Sequence, residues 1–328
     1  RAAISFEAAG PFVAARAARM IRTILAHGRA SLLILIDYPD FNLYIARFAN
    51  RYGIPVLYYI SPQVWAWRRG RIRKIARRVD RMAVILPFEE SLYRGRAVQV
   101  EYVGHPLLDV FSNRSGKGGL DLEDRQRVAF PINGDPVLGL LPGSRKEEVR
   151  KLLPKMLQSA TMLQGRYPDL RCVLPLAETI SCEWVDPVLK GGLVPVRIIQ
   201  GDLYGALASC DVAIAASGTV TLEAAMMELP MVVVYRVSAL SYWIGRLLVH
   251  VGYISLVNLI AEEPVVPELI QNDVNPARLA REVITLIENP TARERMVHGL
   301  KAVKARLGDG GASRRTAKIA LSMLQGHP

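Results

Sequence analysis

The sequence predicts an α/β protein built from two Rossmann-like domains, each around a parallel sheet, and three observations carry that reading. Its 328 residues suffice for about two domains. Short apolar runs alternate with longer helical patterns almost throughout, as in successive βαβ units. Between Ser112 and Asp135 the composition shifts to Ser-Gly-Lys-Gly-Gly, a charged run and Ile-Asn-Gly-Asp, which suits a linker. The expected division is therefore residues 1–120, residues 121–300, and a helical segment 301–328 that packs back on the first domain or on a partner chain.

Each strand rests on a short apolar run bounded by turn residues. In the first half these are Ser31–Ile36, Val56–Ile60, Arg81–Leu86 and Val100–Tyr102. In the second they are Val137–Leu141, Arg171–Leu176, Val196–Ile199, Val212–Ala216 and Met231–Tyr235. Beyond Asn275 the pattern becomes charged amphipathic helix. Two parallel sheets in one chain place the expected ligand cleft between their carboxyl ends, so motifs at strand ends carry most of the functional reading.

Composition narrows the class of protein. With 51% apolar and 22% charged residues, neither wholesale disorder nor a fibrous repeat fits. The 42 Lys and Arg against 30 Asp and Glu give a net charge of +12, which favours a nucleotide, a nucleic acid or an anionic membrane face. Cys172, Cys182 and Cys210 form no C-x-x-C pair and read as reduced core residues of a cytosolic protein. The longest apolar region, Met231 to Ala261, is broken by Arg236, Arg246 and His250, so no spanning helix is expected. The chain opens at Arg1 with no basic-then-apolar leader, and no secretory signal is read there.

In the second half, Val137–Leu141 runs into Pro142-Gly143-Ser144-Arg145-Lys146-Glu147. Gly143 allows a tight turn, Ser144 with Glu147 fits a capping box, and Arg145 adds a fork matched to phosphate oxygens. An ordinary capped helix with a surface arginine is the plainer alternative. The same logic repeats where Val212–Ala216 leads through Ser217, Gly218 and Thr219 into a helix carrying Glu223, a carboxylate suited to ribose hydroxyls. Neither is a Walker loop or a G-x-G-x-x-G fingerprint. Farther on, Asn258 is polar within apolar sequence, and Pro267 at a helix start would place Glu268 and Gln271 on one helix face.

In the first half, Asp37-Tyr38-Pro39-Asp40-Phe41-Asn42 sets two carboxylates at a strand end, where one can serve as a base or either can cap a helix together with Asn42. Trp65 and Trp67 precede Arg68, Arg69, Arg71, Arg73, Lys74, Arg77 and Arg78, a pairing of aromatics and cations suited to an anionic lipid face or to nucleic acid. His105 follows another strand and is read as a ligand contact or a structural histidine.

Taken in order, Asp37-Tyr-Pro-Asp-Phe-Asn42, Ser61-Pro-Gln-Val-Trp-Ala-Trp67, Leu86-Pro-Phe-Glu89, Gly104-His105, Leu141-Pro-Gly-Ser-Arg145, Ala216-Ser-Gly-Thr219 with Glu223, and Leu256-Val-Asn258 resemble the lipid-A-disaccharide synthase family over nearly the whole chain. The resemblance implies a GT-B fold with two parallel sheets facing a central cleft, and an inverting transfer from UDP-2,3-diacylglucosamine to 2,3-diacylglucosamine 1-phosphate in lipid A synthesis. Asp40 is then the general base and Arg145 the stabiliser of the departing diphosphate. Gly143, Ser144, Ser217, Gly218 and Thr219 border the phosphates, Glu223 the ribose, and Asn258, Glu268 and Gln271 complete the donor side. Asp37, Asn42, Trp65, Trp67 and His105 are the further substrate contacts.

No Asp-x-Asp triplet occurs, so a metal-chelated diphosphate is not supported and metal-independent transfer is expected; no cofactor is expected either. Trp65, Trp67, Arg68, Arg69, Arg71, Arg73 and Lys74 would meet the cytoplasmic face of a Gram-negative inner membrane, without nucleic acid as a partner. Pairing of family members through C-terminal segments leaves a homodimer open. The sequence departs from the pattern at Gln63, where Ser is usual, at Val257, where Pro is usual, and in containing no Gly-Glu-Ala-Ser-Gly-Asp loop before its first strand. The rivals are another GT-B enzyme on UDP-N-acetylglucosamine, of the lipid II synthase or 2-epimerase kind, and a basic nucleic-acid-binding protein.

Overall fold

The computed structural model describes residues 11–27, 30–65, 70–115, 136–191, 194–238 and 252–325. They form two compact units, one running up to Asp109 and resuming at Asp309, the other lying between Val110 and Gly308. Of the expected linker, Ser112 to Ser115 closes a helix and residues 116–135 lie outside the described ones.

In the first unit, α1 (Pro11–Ala26), β1 (Leu33–Ile36), α2 (Pro39–Arg51), β2 (Val56–Tyr59), α3 (Arg71–Ala76), β3 (Arg81–Val84), α4 (Glu89–Leu92), β4 (Gln99–Tyr102) and α5 (Pro106–Ser115) follow in order. The strands make a parallel sheet in the order β1-β2-β3-β4. Alternation along β2 builds two layers. Val56 and Tyr58 pack with Leu43, Ile45, Ala46 and Ala49 of α2. Leu57 and Tyr59 point the other way, with Ala83 and Val103, and are covered by Ile319, Ala320 and Met323 from the far end of the chain.

The second unit runs through β5 (Val137–Leu141), α6 (Lys146–Gln164), β6 (Arg171–Leu176), α7 (Cys182–Lys190), β7 (Val196–Gln200), α8 (Leu203–Ala208), β8 (Val212–Ala216), α9 (Thr219–Met226), β9 (Met231–Tyr235), α10 (Leu256–Ala261), β10 (Glu268–Ile270), a 3₁₀ turn (Gln271–Asp273), α11 (Pro276–Glu288) and α12 (Pro290–Arg306). α13 (Ala312–Gln325) then returns to the first unit. There the Asp109 carboxylate accepts from the Gly311 and Ser313 amides, and Arg315 donates to the Val103 carbonyl at 2.8 Å.

The second sheet is parallel, in the order β10-β9-β8-β5-β6-β7. The chain winds outward from β5 through β6 and β7, then restarts on the other side of β5 with β8. Strand order therefore reverses between β5 and β8, which pair with Leu141 beside Ala215. That switch point is where helices leave opposite faces of a doubly wound sheet and open a crevice at the strand ends.

All nine expected strands are present. β10 was not expected, because its three residues are too short to show a period. Pro267 immediately precedes an edge strand here, where its missing N–H costs no ladder bond, and does not start a helix. Cys172 and Cys210 are buried in the core as expected, whereas Cys182, at the start of α7, is only half-buried.

Candidate active site

Two loops meet at the switch point of the second sheet. After β5, Gly143 takes a φ of +101°, so the backbone demands glycine, and an added Cβ would also have to push the Glu148 carboxylate aside. The capping box is not formed. Arg145 rather than Ser144 is the N-cap of α6, and no side chain caps the helix. Ser144 instead offers its carbonyl to the Thr179 hydroxyl at 2.9 Å, and Glu147 pairs with Arg150 at 2.8 Å. The Arg145 side chain is 82% exposed and lies 3.0 Å from Glu148.

After β8, Gly218 is the N-cap of α9, again with no side-chain cap. Its backbone is extended and its missing Cβ faces open space, so neither conformation nor packing calls for glycine there. Ser217 donates its hydroxyl to the Ile254 carbonyl at 3.0 Å, while Thr219 is exposed. Glu223, one turn into α9, accepts from the Tyr204 hydroxyl at 3.4 Å. Two uncapped helix starts thus stand side by side, their amide dipoles positive toward the same edge, with an exposed guanidinium beside them. That arrangement can hold the oxygens of a diphosphate.

Asn258, Glu268 and Gln271 are deployed differently from the sequence reading. Glu268 lies in β10 and Gln271 opens the 3₁₀ turn at a φ of +53°, so they share no helix face. The Asn258 amide is 1% exposed and bonds both polar groups of Val266 and the Glu268 carboxylate, each at 2.9 Å. Glu268 also accepts from the Ile254 and Ser255 amides, at 2.8 and 2.9 Å, which fixes the entrance to α10. Gln271 clasps the backbone of Val237, just past β9. All three support the rim of the crevice.

In the first unit the carboxyl edge is strained. Asp37 and Tyr38, after β1, and Ile60, after β2, all have positive φ, which is costly for side chains of these kinds, a β-branched one above all. Asn42 and Tyr58 hold the first of these bends. The buried Asn42 amide donates to the Ile36 and Asp37 carbonyls, and the Tyr58 hydroxyl also donates to that of Asp37. Asn42 is therefore a brace for the loop, while the Asp37 side chain is exposed.

Asp40, in the first turn of α2, is 78% exposed and forms an ion pair with Arg71. Arg71, only 12% exposed, is thereby withdrawn from the expected membrane face. Trp65 is withdrawn as well, since it is 9% exposed and packs edge-on against Phe88 at 5.6 Å. Arg73 and Lys74 are exposed as expected, and Trp67, Arg68 and Arg69 lie outside the described residues. Burial pushes the His105 pKa down to about 4, and the neutral ring accepts from the Leu107 amide at 3.2 Å, which caps α5.

Two further features escaped the sequence reading. Glu89 is buried, accepts from the Ile85 and Leu86 amides at 3.2 and 3.0 Å, and has its pKa raised by burial to about 7. Arg236 follows directly on β9 at the edge that carries Ser217 and Gly218. Its signal was present, since Arg236, read above only as a break in the apolar region, is a guanidinium directly after a predicted strand.

Comparisons with known proteins give the family and the fold. The family profile described as Lipid-A-disaccharide synthetase matches residues 11–321. The lipid-A-disaccharide synthase of Geobacter sulfurreducens is 45% identical over 313 residues, covering 95% of this chain and 80% of that protein. That of Syntrophus aciditrophicus is 48% identical over 299 residues, covering 90% of this chain and 76% of that one. Among solved structures, the UDP-GlcNAc 2-epimerase of Neisseria meningitidis bound to UDP-GlcNAc superposes with a TM-score of 0.65 at 14% identity, covering 97% of this chain and 84% of that one. MurG of Acinetobacter baumannii does so with 0.57 at 13%, covering 95% and 79%. These last two likenesses show the shared architecture alone and do not favour the rival activities, whereas the close relatives are synthases throughout the chain. A GT-B architecture and a match to synthases along almost the whole sequence lead to one conclusion: the chain belongs to the lipid-A-disaccharide synthase family of glycosyltransferases.

Proposed function

We propose that the enzyme transfers the diacylglucosaminyl group of UDP-2,3-diacylglucosamine to the 6-hydroxyl of 2,3-diacylglucosamine 1-phosphate, with inversion. The acceptor oxygen bonds to the anomeric carbon as the bond from that carbon to the diphosphate breaks, and UDP leaves with the electron pair. Asp40 takes the hydroxyl proton. Arg145 and the amides at the starts of α6 and α9 meet the charge growing on the diphosphate, and Glu223 holds the ribose. The observation that carries the donor side is the pair of uncapped helix starts at the order reversal.

The acyl chains reside in a lipid layer, and the exposed Arg73 and Lys74 on a chain of net charge +12 suit contact with anionic headgroups at the cytoplasmic face of an inner membrane. Among the described residues no helix is long and apolar enough to cross a membrane. The test is UDP release from UDP-2,3-diacylglucosamine in detergent micelles containing EDTA, with and without the monosaccharide 1-phosphate. Acceptor-dependent release is expected. Turnover of UDP-N-acetylglucosamine instead, with none of the acylated donor, would overturn the assignment.

A further inference from the structure

Arg236 follows β9 directly, and the Ser217 amide donates to the Val234 carbonyl at 2.9 Å, so Arg236 leaves the sheet at the edge that carries Ser217 and Gly218. The backbone beyond it is held from the next strand, since the Gln271 side chain accepts from the Val237 amide at 2.9 Å and donates to its carbonyl at 3.4 Å. This clasp engages both ends of the neutral amide and fixes the backbone from which the guanidinium emerges. Arg236 itself is half-buried and has neither an ion pair nor a hydrogen-bond partner among the described residues.

A second cation, on α6, feels its charge. Burial, and after it the charge of Arg236, lower the pKa of Lys155 on α6, which is also half-buried and has no acidic partner among the described residues. Two like charges drawn partly out of water repel each other and forfeit hydration, a cost that an anion lying between them would reverse. Acids are at hand on α6, yet Glu147 is engaged by Arg150 and Lys151, and Glu148 by Arg145.

We propose that Arg236 and Lys155 form an anion seat for the phosphate oxygens of a nucleoside diphosphate, with Gln271 as the positioning residue that aims Arg236. The inference rests on the donor-site reading above and adds to it a second guanidinium, from the strand that flanks β8 on the side away from β5. Arg236 gives the planar fork and Lys155 a point charge, so the seat discriminates by phosphate content rather than by base or sugar.

The experiment compares UDP with uridine by titration calorimetry or competition on the full chain. Losing a charge-assisted contact should weaken UDP about tenfold in Arg236→Ala and leave uridine within about twofold. Lys155→Ala should lower the same preference by about threefold or more, and a Gln271→Ala change should add nothing once Arg236 is already alanine. Arg236→Lys, which keeps the charge, should recover part of the loss and guards against a folding defect. A wild-type protein that binds UDP no better than uridine would defeat the donor-site reading itself. A wild-type preference for UDP that Arg236→Ala and Lys155→Ala both retain in full would defeat the anion seat alone.

Discussion

Glu89 is a carboxyl group with no cation paired to it among the described residues, held by two backbone amides inside the first unit. Burial raises its pKa from 4.5 to about 7, so the folded protein binds a proton there that the unfolded chain releases at lower pH. Stability from this group is fully present below about 4.5 and is lost as pH climbs toward about 7, by about 3 kcal/mol at most. Glu89→Gln should remove that slope, so urea midpoints measured from pH 5 to 8 should shift increasingly in the variant's favour. Parallel profiles would contradict the burial of an ionisable group. At the two charged residues with proposed chemistry the outcomes separate by ligand. Asp40→Asn should abolish transfer yet keep UDP affinity within about tenfold, whereas Arg145→Ala should weaken UDP itself about tenfold. Equal loss of turnover and UDP affinity in the first variant would remove the base assignment.

At the scale of elements, the two glycine turns look alike in sequence and differ in cause. Gly143 is required by its own fold, through a backbone with positive φ. Gly218 is required by nothing in the protein, being extended and open. Gly143→Ala should therefore cost about 1–3 kcal/mol in chemical denaturation. Gly218→Ala should change stability by no more than about 0.5 kcal/mol while reducing UDP affinity, because the added methyl intrudes where the phosphates approach. A destabilised Gly218→Ala with normal UDP binding would reverse the roles assigned to the two helix starts.

At the scale of the whole molecule, the net charge of +12 predicts binding to vesicles that contain anionic lipid, weakening as salt rises, with little affinity for neutral vesicles. At about 1 kcal/mol per cation, Arg73→Glu with Lys74→Glu should lower that affinity at least tenfold in a sedimentation assay. Salt-independent binding would point to apolar insertion instead.

The strands were legible because buried parallel strands are short apolar runs, and both crevice loops because each follows such a run directly. What the sequence hid was orientation. Trp65 and Arg71 sit in a motif that suggests a wet, cationic face, yet tertiary packing against Phe88 and pairing with Asp40 turn them inward. Glu268 and Gln271 read as helix neighbours because three residues of edge strand carry no periodicity. The partners of Asn42, Asn258 and His105 are backbone groups, which spacing along a chain does not reveal.

The layer that Ile319, Ala320 and Met323 lay over Leu57 and Tyr59 has a consequence for biosynthesis. When β2 leaves the ribosome, the residues that cover one of its faces have not yet been made. At ordinary translation rates they follow roughly ten to fifty seconds later. The whole nucleotide-side unit is completed in that interval, so it can fold first, as an insert within a still unfinished neighbour. Until release, the nascent first sheet keeps an oily flank open to chaperones and to its own copies, and a nonsense codon late in the message would leave it open permanently.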